Sequence, residues 1–397
     1  MSKLVIPNGY VLKAFLIRLE PNNKQETMLY KTTCTSRWAY NWALNKKKDY
    51  YEKTKKTLSG GEIRKELTQL KKTDEYKWVS EFSNNVTKQA IKDCDTAFSN
   101  FFKGKADFPK FKSKKKNKWS FFCDGNKTKY LGSHIQIEKI GKIRLSEKDS
   151  LSFEDDKCRI TSARVSKRGN NWFISINTII KDRATYSIPT NNGVGVDVGI
   201  KDLAIVSDGT VFKNINKSKT VRKLEKRLRR LQRKVSRKYN INKIKKGESV
   251  SFIKTNNIKR LEKEIQSIRD RLNNIRRNYL HQTTNSIVKQ KPSYITIEDL
   301  NIKGMMKNKH LSKAVQQQSL YEFRRQLAYK SKRNNIELRV VDRWFPSSKT
   351  CSECGYIKSD LKLKDRVYIC PCCGLKIDRD YNASINLANA EIYKISL

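Results

Sequence analysis

Residues 10–19, Tyr-Val-Leu-Lys-Ala-Phe-Leu-Ile-Arg-Leu, form a short apolar run that predicts a strand stopping at Pro21. A helical pattern follows from about Lys24 to Lys55, carrying Trp38, Tyr40, Asn41 and Trp42, until the Gly60-Gly61 pair breaks it. Two more helices run to about Phe102. Beyond the segment Asp107-Phe-Pro-Lys-Phe-Lys-Ser-Lys-Lys-Lys the period changes to two, with Ile135-Gln-Ile, Ser162-Ala-Arg-Val-Ser and Trp172-Phe-Ile-Ser-Ile-Asn alternating up to Asp182. A strand, a helical insertion and further strands predict one β-barrel, residues 1–22 and 104–186, interrupted by a helical domain, 23–103.

Residues 187–192 read as a linker. Gly193-Val-Gly-Val-Asp-Val-Gly-Ile then opens a second domain, with Leu203-Ala-Ile-Val-Ser-Asp-Gly as its hairpin partner. Val221, Leu224, Leu228, Leu231 and Val235 are spaced 3, 4, 3, 4, and Ile258, Leu261, Ile265, Ile268, Leu272 and Ile275 continue that alternation. The spacing predicts a helical hairpin over 218–288. Tyr294-Ile-Thr-Ile-Glu-Asp-Leu returns to strand character, a helix is expected from about Lys313 to Arg333, a strand over Glu337–Val341, and a last helix from near Asp380. The whole reads as a multidomain chain of α+β and α/β character.

Charge narrows the class. Lys and Arg number 86 against 39 Asp and Glu, a net charge of +47 spread through 397 residues. Polyphosphate is the natural partner of such a surface, because each neutralised phosphate releases counterions. Thirteen Lys or Arg and one acid, Glu225, lie between Val221 and Lys246. A solvated helix face normally mixes signs, so this one, including Arg229, Arg230 and Arg233, is expected to follow a phosphate backbone. No apolar run approaches the roughly 20 residues of a membrane span, and no signal-peptide core is present, so a cytoplasmic, nucleoid-associated protein with no membrane partner is expected. Cys34, Cys94, Cys123 and Cys158 are scattered singly, as in a reducing compartment. The three histidines, His134, His281 and His310, form no His-x-His or His-Asn-His arrangement, so any chemistry falls to carboxylates.

Three carboxylates stand out. Asp197 lies in an apolar strand expected to be buried on both faces, where a lone carboxylate costs several kcal/mol unless paired or bound to a metal. Glu298 ends Tyr-Ile-Thr-Ile-Glu, and Asp380 begins a helix with Asn382, Ala383 and Asn386 close by. Each alone could cap a turn or helix. Together, in the order strand Asp, strand Glu, helix Asp, they suit two Mg2+ ions roughly 4 Å apart hydrolysing a phosphodiester, the logic of the RNase H-like fold in its RuvC form. Asp299, Asp202 and Asp378 are second-line candidates, and Asp378 is the rival of Asp380.

Cys351 and Cys354, then Cys370 and Cys373 after fifteen intervening residues, form two Cys-x-x-Cys pairs. Four thiolates so spaced make a closed tetrahedral site for structural Zn2+, with iron the alternative, in a ribbon over 346–375. Cys372 is a bystander on spacing. The ribbon divides the nuclease domain into 193–345 and 376–397.

Gly195-Val-Asp-Val-Gly-Ile-Lys-Asp-Leu-Ala, Ile297-Glu-Asp-Leu, Trp344-Phe-Pro-Ser-Ser-Lys-Thr-Cys-Ser-Glu-Cys-Gly and Cys373-Gly-Leu-Lys-Ile-Asp-Arg-Asp-Tyr-Asn-Ala resemble the TnpB family of transposon-encoded RNA-guided nucleases. Arg37-Trp-Ala-Tyr-Asn-Trp-Ala-Leu and Phe108-Pro-Lys-Phe-Lys extend the resemblance to the N-terminal half. It implies a wedge barrel and a helical recognition domain that hold one guide RNA per protein copy. It also implies double-stranded target DNA read partly by guide pairing and partly through a short adjacent motif. The three carboxylates would hold the metals and cut both strands. Motif readers would fall in the stretch containing Arg64, Asn84, Asn85 and Lys88, which can reach base edges or phosphates. Phe108–Lys112, with Lys110 and Lys112, and the Trp38–Asn41 cluster could contact RNA or pack the core. The alternatives are an RNA-guided DNA-binding regulator that does not cut, a miniature type V CRISPR effector, or a bare RNA-packaging protein.

Overall fold

The computed structural model describes residues 5–114, 117–151, 153–182, 192–246, 249–362 and 364–395. The chain forms two compact units, Met1–Arg183 and Ala184–Leu397. The expected linker lies outside the described residues except for Asn192.

The first unit opens with β1 (Tyr10–Glu20) and α1 (Asn23–Thr54). Asn22 caps α1, its side chain accepting from the Gln25 N–H while the Gln25 side chain accepts from the Asn22 N–H, which satisfies two otherwise orphan donors. α2 (Gly60–Leu70) and α3 (Asn84–Phe102) follow. Apolar residues on facing turns bring the three together: Ala39, Tyr40, Ala43 and Leu44 meet Ile63, Leu67, Ala90, Ile91 and Cys94. Next come β2 (Ser120–Asp124), β3 (Thr128–Leu131), β4 (His134–Ile137), β5 (Gly141–Leu145), β6 (Arg159–Arg168) and β7 (Asn171–Lys181). With β1 they make one antiparallel sheet in the order β2-β6-β7-β1-β5-β4-β3. The alternation read from Trp172 onward is the alternation of burial, since Trp172, Ile174 and Ile176 face the core with Ile17, Ile135 and Val165. Each such buried side chain contributes about 1.5–3 kcal/mol. The edge strands β2 and β3 are consecutive in sequence and joined by a single 3-10 turn, and among the described residues no ladder pairs them.

The second unit begins with β8 (Val194–Val198), β9 (Asp202–Val206) and β10 (Val211–Lys213), an antiparallel meander. α4 (Lys219–Ile241) and α5 (Asn256–Lys289) pack along the predicted apolar spacing, with Val221, Leu224, Leu228 and Leu231 against Leu261, Ile265, Ile268 and Leu272. Between them the backbone of β11 (Lys243–Lys246) and β12 (Ser249–Phe252) forms a hairpin where the sequence predicted only a helical connection. β13 (Tyr294–Glu298) and α6 (Ile302–Lys307) come next. The helix expected over Lys313–Arg333 is two helices, α7 (Ser312–Gln318) and α8 (Leu320–Arg333), because Ser319 adopts a left-handed conformation, φ 55°. β14 (Glu337–Val341), β15 (Val367–Ile369), β16 (Lys376–Asp378), α9 (Arg379–Ala388) and β17 (Lys394–Ile395) complete it.

The main sheet of this unit runs β10-β9-β8-β13-β14-β17, with β8, β13 and β14 parallel to one another and the remaining pairs antiparallel. Leu280, Ile287 and Val288 of α5 and Phe323 and Leu327 of α8 cover one face, over Val196, Ile295, Ile297, Leu338 and Val340. α9 covers the other.

Candidate active site and metal centre

Strand alternation decides where the carboxylates go. Val196, Ile295 and Ile297 face α5 and α8, so Gly195, Asp197 and Glu298 face the opposite side, where α9 lies. Val196 pairs with Ile297, so Asp197 and Glu298 follow side by side at the C-terminal ends of two parallel strands. Ligands of open α/β sheets bind outside those ends. Asp380 lies in the first turn of α9. That helix sits directly on β8 because residue 195 is glycine: a Cβ there would come within 2.0 Å of the Ser384 carbonyl oxygen and 2.3 Å of the Ala388 nitrogen. The Tyr294 hydroxyl, donating to the Ala388 carbonyl at 3.0 Å, ties the far end of α9 to β13.

The resulting electrostatics are unfavourable as they stand. Burial first, then the charges of Asp380 and Glu298, push the Asp197 carboxyl up to about 7, against the opposing pull of Arg379 and the Val198 N–H. Burial, helped by neighbouring Asp299, pushes Glu298 up to about 7. Among the described residues neither has a cation within ion-pair distance; Asp380 has only Arg366 at 3.9 Å.

The second-line candidates behave differently. Asp299 is held by Arg324 at 2.5 Å and Arg343 at 3.6 Å, and Asp202 by Lys213 at 3.6 Å. Asp378 is the N-cap of α9, accepting from the Asp380 and Tyr381 N–H groups, with Lys201 at 3.9 Å. Asp378 therefore serves the helix that carries Asp380, and it is Asp380 whose charge reaches Asp197.

The sulfur site is built from two equivalent turns. The Gly355 N–H donates to the Cys351 carbonyl at 3.0 Å, and the Gly374 N–H to that of Cys370 at 3.1 Å; both glycines have φ 76°. That left-handed geometry is open to glycine without steric cost, and it folds each Cys-x-x-Cys back on itself. Cys351 and Cys373 Sγ are 3.6 Å apart, Cys354 and Cys370 Sγ 3.5 Å, and all four sulfurs lie within 4.8 Å of one another. Tetrahedral Zn–S bonds of about 2.3 Å place sulfurs about 3.8 Å apart, so the set fits zinc. Cys372 is exposed and stands outside the cluster. Among the described residues this is the one group of three or more candidate ligands so converged; the three carboxylates do not meet that closeness.

Two side chains that spacing alone did not single out as functional connect the ribbon to the carboxylates. Asn382, fully buried, donates to the Thr350 carbonyl at 2.7 Å and accepts from the Ser352 N–H at 3.0 Å. Asn386, one turn on, donates to the Ser347 and Thr350 carbonyls at 2.7 Å. Their i, i+4 spacing on a helix face was the available signal.

The other candidates are dispersed. Arg229, Arg230 and Arg233 are exposed on α4. Arg64 lies on α2, its Nε donating to the Gly60 carbonyl; Asn84, Asn85 and Lys88 lie on α3, Asn84 accepting from Lys71 at 2.7 Å. Lys110 is exposed beside Asp107. Lys112 is turned inward, its Nζ 3.5 Å from the centre of the Tyr40 ring, with burial lowering its pKa.

Three families match by sequence: "Probable transposase" over residues 176–309, "Cas12f1-like, TNB domain" over 321–387, and "Helix-turn-helix domain" over 9–56. A Streptomyces pristinaespiralis protein named as an RNA-guided DNA endonuclease is 31% identical, over 96% of this chain and 89% of its own length. The chain belongs to the TnpB family. InsQ of Escherichia coli, named likewise, is 29% identical over 96% of this chain and 92% of its own. The fold is that of a Cas12f1 chain solved by cryo-EM with sgRNA and target DNA, with TM-score 0.55, 13% identity, and coverage of 98% of this chain and all of that one. Within this TnpB chain the match called helix-turn-helix covers β1 and a single unbroken helix, α1.

Proposed function

We propose that this chain is an RNA-guided DNA endonuclease, with Asp197, Glu298 and Asp380 as its catalytic residues in an RNase H-like, RuvC-type domain. The observation that carries the reading is the gathering of these three carboxylates, from two parallel strands and a helix start, with Asp197 and Glu298 pushed to about 7. Oxygen-only donors whose mutual repulsion is only partly offset, by Arg379 and by Arg366 at 3.9 Å from Asp380, fit hard divalent cations, and Mg2+ is the expected one. When bound, such ions supply charge stabilisation at a phosphodiester and lower the pKa of attacking water. The chain's own groups do the rest. Asp378 fixes the start of α9 and so the position of Asp380. Arg324 and Arg343 keep Asp299 engaged and out of the donor set.

The remaining parts follow the family. The sheet of 1–22 and 104–186 acts as the wedge and the helices of 23–103 as the recognition domain. Residues 193–345 and 376–397 form the nuclease, and 346–375 a structural zinc ribbon. The exposed arginines of α4, including Arg229, Arg230 and Arg233, face nucleic-acid phosphates. The names of the relatives, RNA-guided DNA endonucleases, support guide RNA and double-stranded DNA as partners. Among the described residues no helix is long and apolar enough to cross a membrane.

The test is cleavage of a guide-matched DNA by the protein purified with its RNA, which is sequenced to design the target. Wild type cuts in Mg2+ and Asp197→Ala binds the same target without cutting. Equal cutting by both removes the site assignment, and binding without cutting by both makes the chain a guided DNA-binding regulator.

A further inference from the structure

Of the six tryptophans, one keeps most of its surface in water: Trp344 is 85% exposed, whereas Trp172 is 2% exposed and Trp78 38%. An indole left so exposed gains nothing from burial in the chain's own core.

The backbone around it is held on both sides. The Trp344 N–H donates to Asp342 Oδ1 at 2.9 Å, and the Phe345 N–H to the Asp342 carbonyl at 3.0 Å. Phe345 packs against Val341, Leu387 and Ala390, and Asn386 grips the Ser347 carbonyl just beyond. Trp344 is thus a large free side chain on a fixed loop.

Its location follows from strand register. Val341 is the partner of Glu298 in the parallel β13–β14 ladder, and the Asp299 N–H donates to the Val341 carbonyl at 3.1 Å. Arg343, next to Trp344, reaches Asp299 at 3.6 Å. The exposed ring therefore stands three residues past the register partner of a candidate catalytic carboxylate, on the same edge of the sheet, beside an arginine.

We propose that Trp344 is a stacking platform for one unpaired base of the DNA strand being cut, next to the scissile phosphate. The proposal rests on the nuclease reading of Asp197, Glu298 and Asp380. Guide pairing opens the target duplex and displaces one strand, whose bases lose their stacking partners. A rigid aromatic plane replaces that stacking whatever the base, because every base has a π-face. Arg343 places positive charge beside the adjoining phosphate.

The test uses the full chain with its guide RNA and targets carrying a single 2-aminopurine at successive positions of each strand. To keep the DNA whole, fluorescence is read in Glu298→Gln chains. One or two neighbouring positions are quenched with Trp344 present, brighten with Trp344→Ala, and are quenched again with Trp344→Phe. In chains with Glu298 intact, Trp344→Ala slows cutting by about 5- to 150-fold, the range that base–aromatic stacking supports. Trp344→Phe restores most of the rate, target affinity is unchanged, and the thermal midpoint does not move. No position sensitive to the substitution, or wild-type cutting by Trp344→Ala, overturns the proposal. Failure of the nuclease reading itself shows separately, as absence of cutting by the unsubstituted chain.

Discussion

The sulfur cluster and the carboxylate cluster belong to one unit of the chain and differ in almost every physical respect. The four sulfurs come from two short turns, and each turn is closed by its own hydrogen bond and its own left-handed glycine. They converge within 4.8 Å of one another. The carboxylates come from two strands and a helix spread over residues 197–380, and no local bond draws them together. Their proximity is enforced by the core beneath Val196 and Ile297 and by the seating of α9 on Gly195. One site is organised by local geometry, the other by the whole unit working against electrostatic repulsion. A site of the first kind holds structure; one of the second kind stores unfavourable charge that a cation or a proton relieves.

Four measurements sharpen or break this contrast. The largest effect is expected for Glu298→Gln, which lowers cleavage about 10²- to 10³-fold, as for loss of a positioned charged group. The same change leaves the thermal midpoint of the metal-free chain unchanged or raises it, because it removes repulsion. A substantial fall in midpoint would mean that Glu298 holds structure.

Cys354→Ser should do the reverse. It abolishes zinc retention, measured as metal per chain, and lowers the midpoint by about 5–10 °C, since a structural site contributes to folding outright. Cleavage then declines only as far as the ribbon's loss unseats α9. Full zinc content in this variant would contradict the closed four-sulfur site.

Asn386→Ala tests the link between the two sites. It takes the donor from the Ser347 carbonyl, while the Thr350 carbonyl keeps that of Asn382, at a cost of about 1–3 kcal/mol. Zinc content stays at the wild-type level while cutting falls several-fold. Loss of zinc together with activity would show that the asparagine supports the ribbon and not the helix.

The smallest effect is a pH dependence. Folded Asp197 and Glu298 titrate near 7 against reference values of 3.8 and 4.5. The folded chain therefore keeps protons that the unfolded chain releases. That advantage is complete below about pH 4 and is lost as pH rises through 7. Without divalent cation, the midpoint of wild type should drop from pH 5 to pH 8 relative to that of Asp197→Asn, and added Mg2+ should close the gap. Parallel curves would show that the carboxylates carry no such strain.

Much of this was legible in one dimension because the causes are local. Cys-x-x-Cys followed by glycine specifies a knuckle wherever it occurs, and the 3, 4 spacing from Val221 to Ile275 specifies two helices that bury each other. The left-handed break at Ser319 was not legible, since serine has no particular preference for that conformation and the helical period runs on through it. The β11–β12 hairpin was missed because its strands are four residues each, too short for the alternation of Lys-Ile-Lys-Lys and Ser-Val-Ser-Phe to stand out between two long helical periods. Lys112 illustrates a third limit. Its place in a run of lysines suggests a phosphate contact, and only the packing turns its ammonium onto Tyr40.

The residue types and their order, strand Asp197, strand Glu298 and helix-start Asp380, were determined by the sequence alone, as were the cysteine pairs and the basic face of α4. Which aspartate at the start of α9 reaches Asp197 was decided only in three dimensions. Asp378 and Asp380 are two residues apart and chemically identical. The helix uses the first as its cap, which lies outside the first turn, and carries the second within that turn, where its charge acts on Asp197. Tertiary structure likewise decided the exposure of Trp344, whose neighbour Phe345 took the place in the core. Sequence can name an apolar residue, but only packing assigns the core to one and water to the other.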